Sequence, residues 1–475
     1  MRCLILIVIM GGLAASFDAF AESVEGLLVR CPAAKSARPN AGVVLKRMDV
    51  SVDIAGLAAR TQVTHVFENT TDDALPLEGI YTFRLPSGAA ADFFGMTVQN
   101  ETDIVPGTLL FKNNAMDIFN DVTEHRGSYV ASGSEYTGKF LGSRTGQAGS
   151  ASDPGLLESL GAGLYRVKFF PIERHRTKTI VVSCLQPLEV QRRKSGEGVL
   201  VYRFPLGPAK NYVDSAGVVH LMARLRGNPA GASVSSSFDT VESKDANGDT
   251  VLDATVPASE FQGGTWSISV ALPSTDARAS ECILVASHPE PRERGVFTLT
   301  LNPLDLHAAP IQGAQISVTL PDGSTADLCG DTAPDLAQNR GATIIGSYSK
   351  HGLATAELHG TLNGAPFNRR WIVNLPEKAD ANEAAVKFYG AARSQELTAQ
   401  GRYFDAAMLA GKNGIAGRDT AFLILDTDKR YRKYHIARAI PEKENGAGRS
   451  PGTGVEAGNA VPVAEEDDAV IGLAR

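Results

Sequence analysis

Cysteine is the residue type in this sequence with the most accessible chemistry. Cys31, Cys184, Cys282 and Cys329 stand outside the apolar N-terminal run that holds Cys3. An even set in an oxidising compartment is expected to form disulfides. Four cysteines allow three pairings; proximity along the chain favours Cys282 with Cys329, which leaves Cys31 with Cys184. The alternatives are buried free thiols or a metal site, and no C-x-x-C or paired Cys/His spacing supports the metal.

Acidic oxygens recur at alternating positions in Asp245, Asn247, Asp249 and Asp253, as they do in a calcium loop. The sixth position, where such a loop turns on Gly, is Thr250, and the twelfth, where a Glu closes the coordination, is Val256. A solvated hairpin turn at Asn247-Gly248 is therefore the favoured reading. Nucleophilic chemistry has no better start: the chain holds no G-x-S-x-G elbow, no H-E-x-x-H helix and no S-x-x-K. His65 shares a face with Val63 and Phe67 and reads as a sheet residue rather than a base. Arg174, His175, Arg176 and Lys178 form a small basic cluster before a strand, either an anion or polysaccharide contact or a solvated hairpin tip. Tyr129, Tyr136 and Phe140 are interleaved with Gly and Ser, a composition that suits an adaptable recognition surface or an insertion without a role. No cofactor and no metal is expected.

The elements that must position these residues follow from composition and period. The 475 residues are 43% apolar and 21% charged with a net charge of −7, which fits a globular chain of several domains. Without a basic run, nucleic acid and anionic membrane are excluded as main partners. Residues 1–21 read as a cleaved export signal: Met1-Arg2, an apolar run from Cys3 to Ser16, and Ala19-Phe20-Ala21 as the cleavage site. The run falls short of the roughly 20 residues a spanning helix needs. A periplasmic or secreted protein without a transmembrane segment is expected.

From Val43 to Leu85 apolar residues alternate, with Met48, Val50, Val52 and Ile54 on one face and Tyr81, Phe83 and Leu85 on another, so strands of an antiparallel sandwich are predicted. Phe111, Ala115, Ile118, Phe119 and Val122 recur at helical spacing. Gly127 to Ser152 is predicted to be a long loop, and Asp153-Pro154 to cap a short helix. Further strands are predicted over Leu164–Phe170 and Thr179–Leu185, in a second β region from Val199 to Leu301, and over Ala342–Tyr348, Leu353–Leu362 and Pro366–Leu375. A hairpin turns at Pro321-Asp322-Gly323 and returns to Cys329. Val386, Tyr389 and Arg393, then Phe404, Ala407 and Met408, mark two helices, and Ala421 to Leu425 a last strand. From Pro441 onward, through Glu465-Glu466-Asp467-Asp468, periodicity stops and the composition is that of a disordered tail.

Several of these segments carry a resemblance. Thr61-Gln62-Val63-Thr64-His65-Val66-Phe67-Glu68-Asn69, Tyr81-Thr82-Phe83-Arg84-Leu85-Pro86, Asp153-Pro154-Gly155-Leu156-Leu157-Glu158 and Leu164-Tyr165-Arg166-Val167-Lys168-Phe169-Phe170-Pro171-Ile172 resemble the vault protein inter-alpha-trypsin (VIT) domain, with Gln186-Pro187-Leu188 similar to its closing segment. The resemblance implies a mainly β protein: an antiparallel β-sandwich VIT domain over 22–190, with 127–152 as a loop insertion, then a β-sandwich extension over 195–303. In exported bacterial relatives a von Willebrand factor type A domain comes next. Here 304–340 is too short for one, since an α/β domain needs on the order of 150 residues, and it offers a hairpin or linker instead. The D-x-S-x-S metal loop of that domain does not occur. A C-terminal β region with two helices over 341–436 and a tail over 437–475 complete the division. The implied function is a non-enzymatic scaffold of the envelope, with adhesion or an envelope or extracellular protein, or a polysaccharide, as partner. The alternatives are an envelope hydrolase or transferase whose site is assembled from dispersed residues, and a degenerate remnant of a longer protein.

Overall fold

The computed structural model describes residues 25–439, apart from 32–35, 40–41, 73–75, 99–101, 131–152, 194–196, 208–212, 229–231, 262, 274–281, 289–292, 303–310, 331–340 and 380–381; at 31, 36–39, 124–130 and 213–216 it describes backbone only. Residues 1–21, expected to be an export signal, Tyr136, Phe140 and residues 440–475 of the expected tail therefore lie outside the described residues.

The first unit runs β1 (Gly26–Cys31), β2 (Ser36–Pro39), β3 (Val43–Ala55), β4 (Ala58–Asn69), β5 (Leu77–Arg84), β6 (Ala90–Thr97), β7 (Ile104–Pro106), β8 (Thr108–Phe111), α1 (Lys112–Val130), β9 (Gly155–Gly161), β10 (Leu164–Ile172) and β11 (Thr177–Pro187). β3 and β4 show why: every second residue of β4 is buried, and Gly56 takes the positive φ of +58° that the two-residue turn between them requires. Two sheets face each other across one core, in which Phe67, Phe94, Tyr81 and Phe169 are buried. The expectation of a mainly β, antiparallel sandwich holds.

Two local predictions fail. The helix does not stop near Arg126 but runs on to Val130. Asp153-Pro154 caps no helix; Gly155 to Gly161 is a strand, paired with β10 along its length. The reason is two-sided burial. Leu156 and Leu157 are both fully buried because one faces the core between the sheets and the other faces α1, and adjacent buried residues without alternation look helical from sequence alone. Asp153 instead pairs with Lys178 of β11, both buried.

The second stretch comprises β12 (Glu189–Arg192), β13 (Gly198–Gly207), β14 (Val213–Leu225), β15 (Val234–Ser236), β16 (Val241–Lys244), β17 (Thr250–Pro257) and β18 (Gly264–Leu272). β12, β13, β18 and β15 form a four-stranded sheet whose Tyr202 and Trp266 rings meet edge to face at 5.7 Å. β14, β16 and β17 join the first unit instead, in the order β16-β17-β14-β3-β4-β11-β6-β7, with β14 parallel to β3. β16 and β17 are the arms of the hairpin predicted at Asn247-Gly248. Its tip is closed by Asp245, which accepts from the backbone N–H of Asn247 at 2.8 Å and of Asp249 at 3.0 Å.

Next come β19 (Cys282–Ser287), β20 (Gly295–Leu301), β21 (Gln312–Thr319), β22 (Asp327–Cys329), β23 (Ala342–Tyr348), β24 (Gly352–Leu362) and β25 (Ala365–Leu375). They make a second sandwich, β19-β20-β23-β22 against β21-β24-β25, around Phe297, Tyr348, Val318 and Leu358. The turn at Pro321-Asp322-Gly323 is present, with the Leu320 N–H donating to Ser324 O at 2.7 Å. The chain turns back on the end of β21, where Thr325 bridges Thr319 and the Ala326 N–H donates to Val318 O at 2.8 Å, and then crosses to pair β22 with β23 in the other sheet. The chain then forms α2 (Glu383–Ala399), α3 (Tyr403–Lys412), β26 (Thr420–Ile424) and α4 (Asp428–Lys433). β26 returns to the first unit and lies between β9 and β8 in the seven-stranded sheet β2-β1-β5-β10-β9-β26-β8.

This topology overturns the disulfide pairing. Cys282 and Cys329 stand on opposite edge strands of one four-stranded sheet, with β20 and β23 between them; three strand spacings of about 4.8 Å far exceed the roughly 7 Å limit on Cα separation in a disulfide. Cys329 is a free thiol, and so is Cys184, which is buried in the first core. The expected Cys31–Cys184 bond is therefore not formed either, and the alternative of a buried thiol is what the structure holds at Cys184.

Candidate interaction surfaces

α3 buries its small residues and exposes its large ones. Ala406, Ala407, Ala410 and Gly411 face inward, which lets the helix pack close to its neighbours. Tyr403, Phe404 and Met408 point outward at 58%, 65% and 44% exposure. The ring of Phe404 stacks on Phe111 of β8 at 5.6 Å, extending the patch from helix to sheet edge. The sequence marks a helix at Phe404, Ala407 and Met408, but only Ala407 is core. The signal that was available is the Ala/Gly pattern itself, since a helix with alanines on one face and aromatics on the other can bury either.

The second surface is the outer face of the seven-stranded sheet, beside α1. Glu158 of β9 is 1% exposed in its side chain and accepts from Arg166 Nε at 2.9 Å and Nη2 at 2.7 Å. Lys112 Nζ lies 3.3 Å from the same carboxylate and donates to the Ser159 carbonyl at 2.7 Å. Burial alone would raise the Glu158 pKa; hydrogen bonds and charge from Arg166, with Lys168 and Lys112, hold it below the usual carboxylate range. On β5, Glu78 is also buried and accepts from Arg30 Nε at 2.6 Å. Burial outweighs Arg30 there and lifts the Glu78 pKa.

The residues singled out in the sequence fare unevenly. Arg174 and His175 sit at the exposed tip between β10 and β11, both on Asp72, at 2.9 and 3.1 Å. Asp72 thus answers part of the basic cluster, and Lys178 leaves it to pair with Asp153 in the interior. Tyr129 falls in the backbone-only turn of α1, and Tyr136 and Phe140 outside the described residues. Burial, opposed by Arg393 and helped by Glu396 and Asp327, pushes the Cys329 thiol up to about 11, which keeps it protonated and unreactive near neutrality. Among the described residues no group of three or more His, Cys, Asp or Glu could hold a metal ion, and no helix is long and apolar enough to cross a membrane.

Residues 45–140, from β3 into the segment after α1, match the family model of the Vault protein inter-alpha-trypsin domain. The chain carries a VIT domain. In this VIT domain the Asp153-Pro154-Gly155-Leu156-Leu157-Glu158 segment lies beyond the matched residues yet supplies a central strand of the same sheet, together with the buried Glu158. No curated protein matches the chain. Among solved structures it is similar to native yeast LTA4 hydrolase, at 8% identity and a TM-score of 0.24, covering 53% of this chain and 30% of that one. The Leukotriene A4 hydrolase of Saccharomyces cerevisiae matches at 8% identity and TM-score 0.24 over 51% and 30%, and the yeast enzyme in complex with Bestatin at 9% and 0.23 over 51% and 29%. The chain spans under a third of the length of these structures, and at such scores the likeness carries no argument.

Proposed function

We propose that this VIT-domain protein is an exported, non-enzymatic scaffold of the bacterial envelope that holds a protein partner on the α3 patch. The observation that carries the reading is the outward triad Tyr403, Phe404 and Met408 with Phe111 beside it: aromatic residues and Met are the types enriched where proteins meet. Export rests on residues 1–21, with cleavage after Ala21.

The test uses the full chain. Phe404→Asp with Met408→Asp should change unfolding free energy by no more than about 0.5 kcal/mol per site, as exposed substitutions do, and should abolish capture of the envelope protein that the wild-type chain retains. Equal capture by both chains would remove the patch from the reading. Mass spectrometry of the chain recovered from the periplasm or medium should show Glu22 as its first residue; an intact Met1 would count against a cleaved signal.

A further inference from the structure

Among the described residues, the outer face of the seven-stranded sheet holds more positive charge than its carboxylates balance. Arg30, Lys112, Arg166 and Lys168 face Glu78 and Glu158, four cations to two anions, hence a surplus of two. Further along the face Arg84 and Glu25 neutralise each other at 2.6 Å. Both carboxylates are already engaged, Glu78 by Arg30 and Glu158 by Arg166, Lys112 and, at longer range, Lys168.

Lys168 is the cation held at the longest distance from a carboxylate. Its Nζ stands 3.6 Å from Glu158 Oε1, the oxygen that already accepts both bonds from Arg166, and 6.0 Å from the Phe119 ring centroid. Its side chain is 17% exposed, so the ammonium is largely stripped of water yet still reachable. Desolvation, opposed by Glu158 and Glu78 but reinforced by Arg166, lowers its pKa. Arg166 lies two residues earlier on the same strand and the same face, about 7 Å along it, a gap that one tetrahedral oxyanion can bridge with two charge-assisted hydrogen bonds of about 2.8 Å.

We propose that Lys168 and Arg166 form an anion site on the VIT domain that takes a doubly charged oxyanion of the phosphate class, either free or as a monoester. The surplus of two charges sets the class: a dianion balances the face, whereas a carboxylate leaves it half answered. The site is separate from α3 and does not depend on the partner proposed there.

Inorganic phosphate and glucose 6-phosphate are the probes, titrated calorimetrically into the full chain at constant ionic strength. Saturable binding of phosphate alone identifies a free anion as ligand, and binding of both identifies a site open to esters. Lys168→Gln should weaken binding about tenfold or more, the loss expected for one charge-assisted hydrogen bond. Lys168→Arg should retain it, and Arg174→Gln, on the remote hairpin tip, should leave it unchanged. Absence of saturable binding by wild type, or equal affinity in Lys168→Gln, overturns the proposal. Should Lys168→Gln fail to fold, amide shift mapping on wild type decides: phosphate must perturb β9 and β10, and perturbation centred elsewhere refutes the site.

Discussion

His65 is held where an imidazolium cannot form. It lies at 3% exposure among Phe67, Tyr81 and Phe83, its Nε2 is 3.3 Å from the Tyr81 hydroxyl, and its Nδ1 has no partner. Burial lowers its pKa to about 3. The unfolded chain protonates this residue near pH 6.5 and the folded chain does not, so the unfolded state binds more protons below that pH. Stability from this residue is complete above about pH 6.5 and falls by about 1.4 kcal/mol per unit as the pH drops toward 3. Denaturant titrations at pH 7 and pH 5 should therefore show wild type losing about 2 kcal/mol more than His65→Phe; parallel losses would refute it. The position was legible in sequence, because Val63, His65 and Phe67 alternate. The aromatic box was not, since Tyr81 and Phe83 come from a strand in the facing sheet and no local pattern pairs them with β4. The cysteines teach the same lesson in reverse: chain proximity paired Cys282 with Cys329, and sheet order parted them. Thiol titration of the denatured, unreduced chain should detect Cys184 and Cys329 by mass-mapped alkylation; protection of either would contradict the fold.

α2 joins the VIT domain to the second sandwich through a buried charge network. Asp92 of β6, 1% exposed in its side chain, accepts from Arg60 Nη1 at 2.7 Å and from Lys387 Nζ at 2.8 Å, while Glu383 of α2 binds Arg60 Nη2 at 2.6 Å. Burial works against the Asp92 carboxylate, but Lys387 and Arg60 overcome it and hold the pKa low. Asp92→Ala leaves Arg60 and Lys387 with only the partly exposed Glu383 between them and should cost about 3–5 kcal/mol. Lys387→Met removes one cation at the rim, leaves Arg60 on Asp92, and should cost clearly less. Equilibrium denaturation checks the order, and equal costs would mean that Asp92 acts by packing alone. That α2 is a helix was legible from Val386, Tyr389 and Arg393. Its buried face was not: Ala385, Phe388, Gly390, Ser394 and Thr398 point inward. Gly390 is required there because a Cβ would come within 2.7 Å of Asn413, so close packing selected small residues where hydrophobic periodicity looks for large ones.

At the scale of the whole molecule, order along the chain and order in space part company. The resemblance marks 22–190 as one domain, yet β14 lies parallel against β3 and β26 fills the seven-stranded sheet between β9 and β8. A fragment ending at residue 190 lacks both strands and should show no cooperative melt, whereas one ending at 439 should melt as the full chain does; calorimetry on the two is decisive, and a sharp transition in the short fragment would mean that β26 is dispensable. Strand content was legible because each strand carries its own period, but which strands are neighbours depends on contacts too far apart in sequence to leave a local trace. The position of β26 also sets a timetable. β8 and β9 leave the ribosome hundreds of residues ahead of the strand that belongs between them, and until it arrives two rows of unpaired amides and carbonyls border a gap one strand wide. Any extended peptide that reaches the gap first competes with β26. By the same logic a chain truncated before Thr420 should accept a synthetic 415–427 peptide in trans, so the last of the described strands to be made doubles as the lock of the first domain to appear.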